Sequence, residues 1–219
     1  MGASGFVQRS APPIALLLPD LDGSEQPYWP DHWAKSRIDC RLVDLGHVTR
    51  PDRNHWVAQL DRALRHADAP VVLVGHGAGA LAISAWCGLM SCEAEKGVIG
   101  ALLIAPADPM SPDSDRRLRD FGPIPSQILS FPALLVASED DPLLSPERAF
   151  SLARLWGAGF ASFGTCGHFG PEDGLGCWTE GEQLLDRFIE LVDAADRSGR
   201  TFDPAIVAAA RSATSLFRP

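Results

Sequence analysis

The chain has 219 residues, 46% of them hydrophobic and 21% charged, a composition typical of one globular domain rather than of a disordered or membrane protein. Its formal net charge of -9 argues against nucleic acid and anionic membranes as partners, because both bind clustered basic residues. The cysteines are odd in number and form no CxxC pair, which argues against a disulfide framework or a zinc site and favours reduced thiols in a cytoplasm.

Short apolar runs alternate with longer amphipathic segments along most of the chain. The apolar runs are typical of strands buried on both faces of a parallel sheet. They predict strands at Ile14–Leu18, Ile38–Leu45, Val71–Val74, Val98–Ala105, Ala133–Ala137 and Ala158–Phe163. The amphipathic segments predict helices at Asp52–His66, Gly79–Leu89, Pro146–Trp156 and Glu180–Ala194. This alternation predicts an α/β fold, a mostly parallel, doubly wound sheet of about six strands with helices on both faces.

Residues 1–197 are predicted to form one domain, and residues 198–219 an extra C-terminal helix or tail. The stretch Pro109–Pro132, rich in Pro, Asp, Arg and Ser, predicts a long loop or small cap. Met1–Pro13 does not have the pattern of a signal peptide, and no apolar run approaches the ~20 residues of a membrane helix. A soluble cytoplasmic protein is expected. The scarcity of lysine beside many Arg, Ala and Gly residues suggests a GC-rich bacterial genome.

Residues 71–80 read as a strand, a cluster of small residues and a helix, which is the setting of the G-x-S-x-G nucleophile elbow. Gly75 and Gly79 occupy the two glycine positions, and His76 precedes the nucleophile position, which is Gly77. A Gly-rich phosphate-binding turn is the alternative interpretation. It fits less well, because the last glycine of G-x-G-x-x-G is missing and the turn follows the third strand, not the first.

Two further segments follow strands in the order nucleophile, acid, histidine that a triad on this fold requires. Ser138–Pro142 follows the fifth strand and Cys166–Gly170 the sixth, so both lie at the carboxyl edge of the sheet, where catalytic groups are found. They make Asp141 the candidate acid and His168 the candidate base. Taken singly, Asp140 and Asp141 could be turn formers, and His168 an ordinary loop residue.

The loop Pro19–Ser24, after the first strand, is expected to supply one backbone N–H of an oxyanion hole. Leu21 is the favoured donor and Asp22 the alternative. The second donor is the residue after the nucleophile position, Ala78. A carboxylate from Asp20 or Asp22 beside an oxyanion would be electrostatically unfavourable.

Several motifs resemble those of one known family. They are Asp31-His32-Trp33, Asn54-His55-Trp56, Val74-Gly75-His76, Ala101–Pro106, Ala137–Pro142, Arg148-Ala149, Leu155–Ala158, Gly167-His168 and Gly174–Trp178 with Gly181. Over residues 14–192 the chain resembles the small bacterial serine hydrolases grouped with retinoblastoma-binding protein 9 and the YdeN-type esterases. The resemblance implies an α/β-hydrolase-like fold and an esterase-like hydrolase with a Ser–Asp–His triad. Its acid falls on Asp141 and its base on His168, but its serine falls on Gly77.

The glycine at this position decides what activity is expected. Glycine cannot form an acyl-enzyme, so little or no classical serine hydrolysis is expected of Gly77. Two origins of the glycine are open: an introduced change, or a natural loss that leaves a pseudoenzyme or a ligand- or protein-binding module using the vacated pocket. Cys166 or His76 could instead act as a substitute nucleophile, or His168, oriented by Asp141, could activate water directly. Gly77→Ser is expected to create activity on a short p-nitrophenyl ester.

Other aromatic and histidine side chains suggest a pocket but not a metal centre. Trp33 and Trp178, in or beside edge loops, and His76, beside the elbow, are candidates for lining a substrate pocket. The spacing of His32 and His55 to His168 fits no metal-ligand pattern, so neither a metal nor a cofactor is expected. The expected partner is a small ester-like molecule, and a protein partner stays open.

Overall fold

A computed structural model of the chain describes residues 11–21, 27–46, 51–89, 97–111 and 114–199. Six parallel strands form one sheet in the order β2-β1-β3-β4-β5-β6. The strands are β1 (Ile14–Leu18), β2 (Cys40–Leu42), β3 (Val71–His76), β4 (Val98–Ile104), β5 (Ala133–Ala137) and β6 (Gly159–Ser162). The predicted α/β fold with a doubly wound parallel sheet is confirmed.

In the described part of the chain, five helices connect and cover these strands: α1 (Trp29–Ser36), α2 (Arg53–Arg65), α3 (Ala78–Leu89), α4 (Pro146–Trp156) and α5 (Thr179–Ser198). Two begin at side-chain caps, which satisfy backbone N–H groups of the first turn. Asp52 accepts a hydrogen bond from the His55 N–H at 2.6 Å, and Ser145 accepts one from the Arg148 N–H at 3.2 Å. Within the described ranges, no helix is long and apolar enough to cross a membrane.

Alternate residues of each strand face two separate hydrophobic cores, one on each side of the sheet. Leu16 belongs to the core under α2, α3 and α4, where Trp56 is buried. Its neighbour Leu17 belongs to the opposite core, where Trp33 of α1 and Phe188 of α5 are buried. Because helices cover both faces, the central strands β3 and β4 are buried throughout and largely apolar, as the sequence pattern indicates.

Helix α3 runs closer to the sheet than an ordinary side chain would allow. A Cβ at Gly79 would overlap the backbone carbonyl of Leu18, so Gly79→Ala is expected to lower the free energy of unfolding by about 1–3 kcal/mol. Gly88→Ala, in the same helix, is the matched control, because its Cβ would meet only the flexible Gln127 side chain. The control should gain up to about 1 kcal/mol from helix propensity. Urea unfolding measures both, and equal effects would contradict this close packing.

Several boundaries differ from the sequence predictions. The sequence predicted no helix between the first two strands, but helix α1 lies there, with Pro30 in its first turn. Strand β2 is shorter than the predicted Ile38–Leu45, and β3 continues two residues beyond Val74. The predicted loop Pro109–Pro132 contains a short 3-10 helix at Arg116–Phe121. Of the predicted C-terminal element, residues 200–219 lie outside the described residues.

Candidate active site

The carboxyl ends of the strands meet at one edge of the sheet, as they must when all strands run parallel. Gly77 follows β3, Asp141 follows β5 by four residues, and His168 lies in the loop between β6 and α5. The three positions that the sequence assigned to a triad therefore share one edge. This is the edge at which ligands bind to open α/β sheets.

The turn after β3 has the backbone conformation of a tight strand-to-helix elbow. Gly77 has φ +52, in the left-handed region that glycine adopts without strain. Its N–H donates to the carbonyl of Ile104 at 3.0 Å, which joins the turn to the end of β4. A Cβ at Gly77 would overlap the carboxylate of Asp20, so the space for a side chain at this elbow is already filled.

Asp141 and His168 form a buried, hydrogen-bonded pair. Nδ1 of His168 lies 3.0 Å and 2.9 Å from the two carboxylate oxygens of Asp141. The carboxylate also accepts from the backbone N–H groups of Leu143 at 2.8 Å and Leu144 at 3.1 Å, which fixes its orientation. With Nδ1 engaged in this way, Nε2 of the imidazole is on the side of Asp20, which lies beside the elbow. This orientation is the one a general base needs.

The neighbouring aspartate has a different contact. Asp140 accepts from the backbone N–H of Gly167 at 2.9 Å, and the Ser138 hydroxyl donates to it at 2.6 Å. Ser138 Oγ also accepts from the N–H of Cys166 at 2.8 Å. Asp140 and Ser138 thus tie the end of β5 to the loop that carries His168, and Asp141 is the aspartate that contacts the imidazole.

Asp20, one-fifth exposed, lies between the elbow and the histidine. Its Oδ1 accepts a hydrogen bond from the backbone N–H of Ala78 at 2.7 Å. Its Oδ2 lies 3.5 Å from Nε2 of His168, and the exposed fraction of its side chain is 20%. The N–H that the sequence assigned to an oxyanion hole is therefore bonded to a carboxylate of the chain itself. Sequence reasoning treated Asp20 only as an unfavourable charge, although its place after β1 puts it at this same edge.

A chain of hydrogen bonds supports Asp20 and His168 from below. The N–H of Asp20 donates to the Tyr28 hydroxyl at 3.0 Å, and this hydroxyl lies 2.9 Å from Nδ1 of His76. Nε2 of His76 lies 2.7 Å from the carbonyl oxygen of His168, which can only accept. The His76 proton is therefore on Nε2, and the tyrosine donates to Nδ1. The residue before the elbow acts as a buried bridge between the two loops.

The charges of the site are strongly coupled. Burial alone would lower the pKa of His168, but its hydrogen bonds to Asp141 and the nearby negative charge of Asp20 raise this pKa to about 10. Burial alone would raise the pKa of Asp20, but the contact with His168 and the hydrogen bond from the N–H of Ala78 hold it well below its usual range. Burial lowers the pKa of His76 to about 4. At neutral pH the site holds a protonated His168 between two carboxylates, with His76 neutral beneath it.

Tryptophans of α1 hold the loops around the histidine. Nε1 of Trp29 donates to the carbonyl of Phe169 at 2.9 Å, and Nε1 of Trp33 donates to the carbonyl of Cys177 at 2.7 Å. The ring of Trp33 stacks on that of Trp178, with centroids 5.7 Å apart and planes 12° apart. Phe169, directly after His168, has φ +60. These contacts hold an unusual backbone conformation next to the base.

Not every residue that the sequence nominated lies at the surface of the site. Trp33, Trp178 and His76 are buried in the core beneath it, where their surface does not face a cavity open to solvent. Leu21 is also buried, and Asp22 lies outside the described residues. The Sγ of Cys166 donates to the carbonyl of Phe163 at 3.2 Å.

The side chains of Asp20, His76 and His168 are close enough together to suggest a metal. One ligand atom from each lies within 4.8 Å of the others. Both ring nitrogens of His76, however, are already bonded, one to Tyr28 and one to the carbonyl of His168. As arranged, these three side chains form a hydrogen-bonded network, and His76 offers no lone pair to a metal.

Comparisons with known proteins show what the chain as a whole is similar to. The family model described as "Serine hydrolase" matches residues 15–187. A protein described as YdeN-like hydrolase from Pectobacterium atrosepticum is 31% identical, with a TM-score of 0.71, covering 83% of this chain and 92% of that one. The ydeN gene product of B. subtilis is 17% identical, with a TM-score of 0.65, covering 82% and 100% of the two chains. An esterase from Rhodococcus shares the fold, at 15% identity and a TM-score of 0.57, covering 83% and 91%. Among curated proteins, none matches.

Proposed function

Because this chain belongs to the serine hydrolase family, we propose that it is an esterase-like homologue with Asp141 and His168 as acid and base and Gly77 at the nucleophile position. The observation that supports this proposal is the buried Asp141–His168 pair, whose Nε2 lies 3.5 Å from the Asp20 carboxylate that fills the side-chain space of Gly77. An acyl-enzyme needs a nucleophilic side chain at that elbow. The proposed molecule therefore has little or no serine-type esterase activity.

The carboxylate of Asp20 adds a second reason for low esterase activity. It is bonded to the N–H of Ala78, which in this fold would stabilise the negative charge on an ester's carbonyl oxygen. It also fills the space that a ligand of a non-catalytic binding module would need beside Gly77. We therefore prefer the hydrolase homologue to the binding module. We also propose that the chain belongs to the group of retinoblastoma-binding protein 9 and that it is a cytoplasmic protein.

A fluorophosphonate probe and a short p-nitrophenyl ester test the proposed loss of serine chemistry. The protein is expected to stay unlabelled by the probe and to hydrolyse the ester no more than about 10-fold faster than its His168→Gln variant. Intact-mass analysis and the release of p-nitrophenol are the two measurements. Stoichiometric labelling by the fluorophosphonate, mapped to any serine of the chain, would contradict the proposal.

A further inference from the structure

We propose that Asp20 is the nucleophile of this site, and that it displaces a leaving group such as halide from a saturated carbon atom of a small substrate. The proposal rests on the function proposed above only in that Gly77 supplies no nucleophile. Asp20 is the nucleophilic side chain that the structure brings against the imidazole of His168. A carboxylate is a recognised covalent nucleophile when a base and an orienting hydrogen bond accompany it.

One oxygen of the Asp20 carboxylate is fixed by a hydrogen bond, and the other oxygen is available to attack a substrate. The bond from the N–H of Ala78 fixes Oδ1 at 2.7 Å, whereas Oδ2 lies 3.5 Å from His168, beyond a good hydrogen bond. Its low pKa keeps the group ionised at any physiological pH. One-fifth of the side chain is exposed, so that a small molecule can reach it from solvent.

The position of Oδ1 selects the kind of carbon that can be attacked. A carbonyl substrate develops negative charge on its own oxygen and needs a backbone donor for it. The donor at this elbow, the N–H of Ala78, is already bonded to Asp20. Displacement at a saturated carbon forms no oxyanion on the substrate, so the reaction does not need a hydrogen bond from the N–H of Ala78.

The position of His168 selects the leaving group. In a displacement at saturated carbon, the leaving group departs on the side opposite the nucleophile. Nε2 of His168 is on the nucleophile's side, 3.5 Å from Oδ2 of Asp20, and cannot deliver a proton across the carbon. A leaving group that departs as a stable anion, such as bromide or chloride, fits this arrangement. Oδ2 then forms the new C–O bond, and the halide takes the electrons of the bond that breaks.

The alkyl ester formed on Asp20 is positioned for hydrolysis. Its carbonyl oxygen is Oδ1, which already has its donor in the N–H of Ala78. Alkylation removes the negative charge of Asp20, one of the causes that raise the pKa of His168, so the pKa of the imidazole falls and release of its proton to solvent becomes easier. His168, oriented by Asp141, then takes a proton from water as that water attacks Cγ.

The second step restores the enzyme. The tetrahedral intermediate carries its charge on Oδ1 and collapses with loss of the alkoxide, which takes the proton back from His168. The carboxyl group left on Asp20 returns a proton to the imidazole. Oδ2 becomes the oxygen atom of the released alcohol, and the oxygen atom of water remains in the carboxylate of Asp20. Summed over both steps, an alkyl halide and water give an alcohol, a halide ion and a proton.

A single turnover in oxygen-18 water tests this sequence of steps. With the protein in excess over a primary alkyl bromide, oxygen-18 should enter Asp20 itself, found by mass spectrometry of the peptide that contains it, and the alcohol should stay unlabelled. Bromide release should exceed that of Asp20→Asn by at least about 100-fold. His168→Gln should accumulate the alkylated protein, visible in its intact mass. Asp108→Asn, at the same edge of the sheet, is the matched control and should behave as the unmodified protein.

Three results would overturn the proposal: bromide release equal to that of Asp20→Asn, oxygen-18 in the alcohol with none in Asp20, or no alkylated His168→Gln protein. The first would leave Asp20 as an internal anion without catalytic chemistry, and the second would make water the direct nucleophile. Each of them leaves the fluorophosphonate experiment unaffected, so failure here is distinct from failure of the function proposed above.

Discussion

Contrary to the expectation from the sequence, Gly77→Ser alone is expected to leave the protein without serine-type activity, whereas the double substitution Asp20→Ala/Gly77→Ser is expected to create it. A Cβ at position 77 overlaps three atoms of the Asp20 side chain, its carboxyl carbon and both oxygens, and alanine at position 20 removes all three. The same change frees the N–H of Ala78 for a substrate's oxyanion. The left-handed backbone at position 77 costs a serine roughly 1–2 kcal/mol, which a stable domain can tolerate.

The size of the gain follows from what a triad contributes. Loss of the serine from a working triad costs about 10⁶-fold in kcat, and an unrefined site recovers only part of this. We expect the double variant to hydrolyse a short p-nitrophenyl ester at least about 10³-fold faster than either single variant, and to be labelled by a fluorophosphonate. Adding Asp141→Asn to the double variant should remove the gain in hydrolysis rate while leaving the fold intact. If Gly77→Ser alone is as active as the double variant, Asp20 does not block the elbow.

The free energy of unfolding is expected to fall as pH rises from about 7 to about 9, more steeply in the unmodified protein than in His168→Gln. The pKa of His168 is raised from 6.5 to about 10 on folding, so the folded state binds one more proton in this window. Its stabilising contribution is complete below about pH 6.5 and is lost as pH rises through 10. One proton corresponds to about 1.4 kcal/mol per pH unit, which is the expected difference between the two slopes.

The groups that face His168 set this slope. The contacts with Asp141 and Asp20 hold the imidazole in its charged form. The pKa of Asp20 is held well below its usual range, so Asp20 is ionised across the window, and His76, with a pKa of about 4, is neutral throughout. Their titration therefore falls outside the window. Urea unfolding at several pH values gives the slopes, with m-values compared to check that the same transition is followed. Parallel slopes for the two proteins would show that His168 is not protonated in the folded state at neutral pH.

Much of the fold could be predicted from the sequence because local patterns determine it. The apolar runs at β1 and β5 and the amphipathic segment of α4 match the structure residue for residue. Helix α1 was missed because its eight residues are too few for a clear helical period, and its first turn contains Pro30. A proline at that position is compatible with the start of a helix, but it is equally common in a turn.

The contents of the site were harder to predict, because they depend on contacts between distant segments. That a histidine and an aspartate would meet at the carboxyl edge follows from topology, and the structure brings Asp141 to His168. Nothing local indicates that Asp20 fills the space beside Gly77, since they are 57 positions apart and meet only when β1 and β3 pair. Similarly, an aromatic residue beside an edge loop suggests a pocket, whereas Trp178 stacks in the core.

The indole bonds of α1 have a consequence for how the protein folds. Trp29 reaches a carbonyl 140 residues further along the chain, and Trp33 one 144 residues further. Contacts of such sequence separation form late, because the entropy of closing a long loop must be overcome before they stabilise anything. The backbone beside His168 therefore acquires its final conformation only when the first helix docks against the last third of the chain. Chemical competence at this edge is thus acquired at the end of folding, and a nascent chain that lacks its last third cannot possess it.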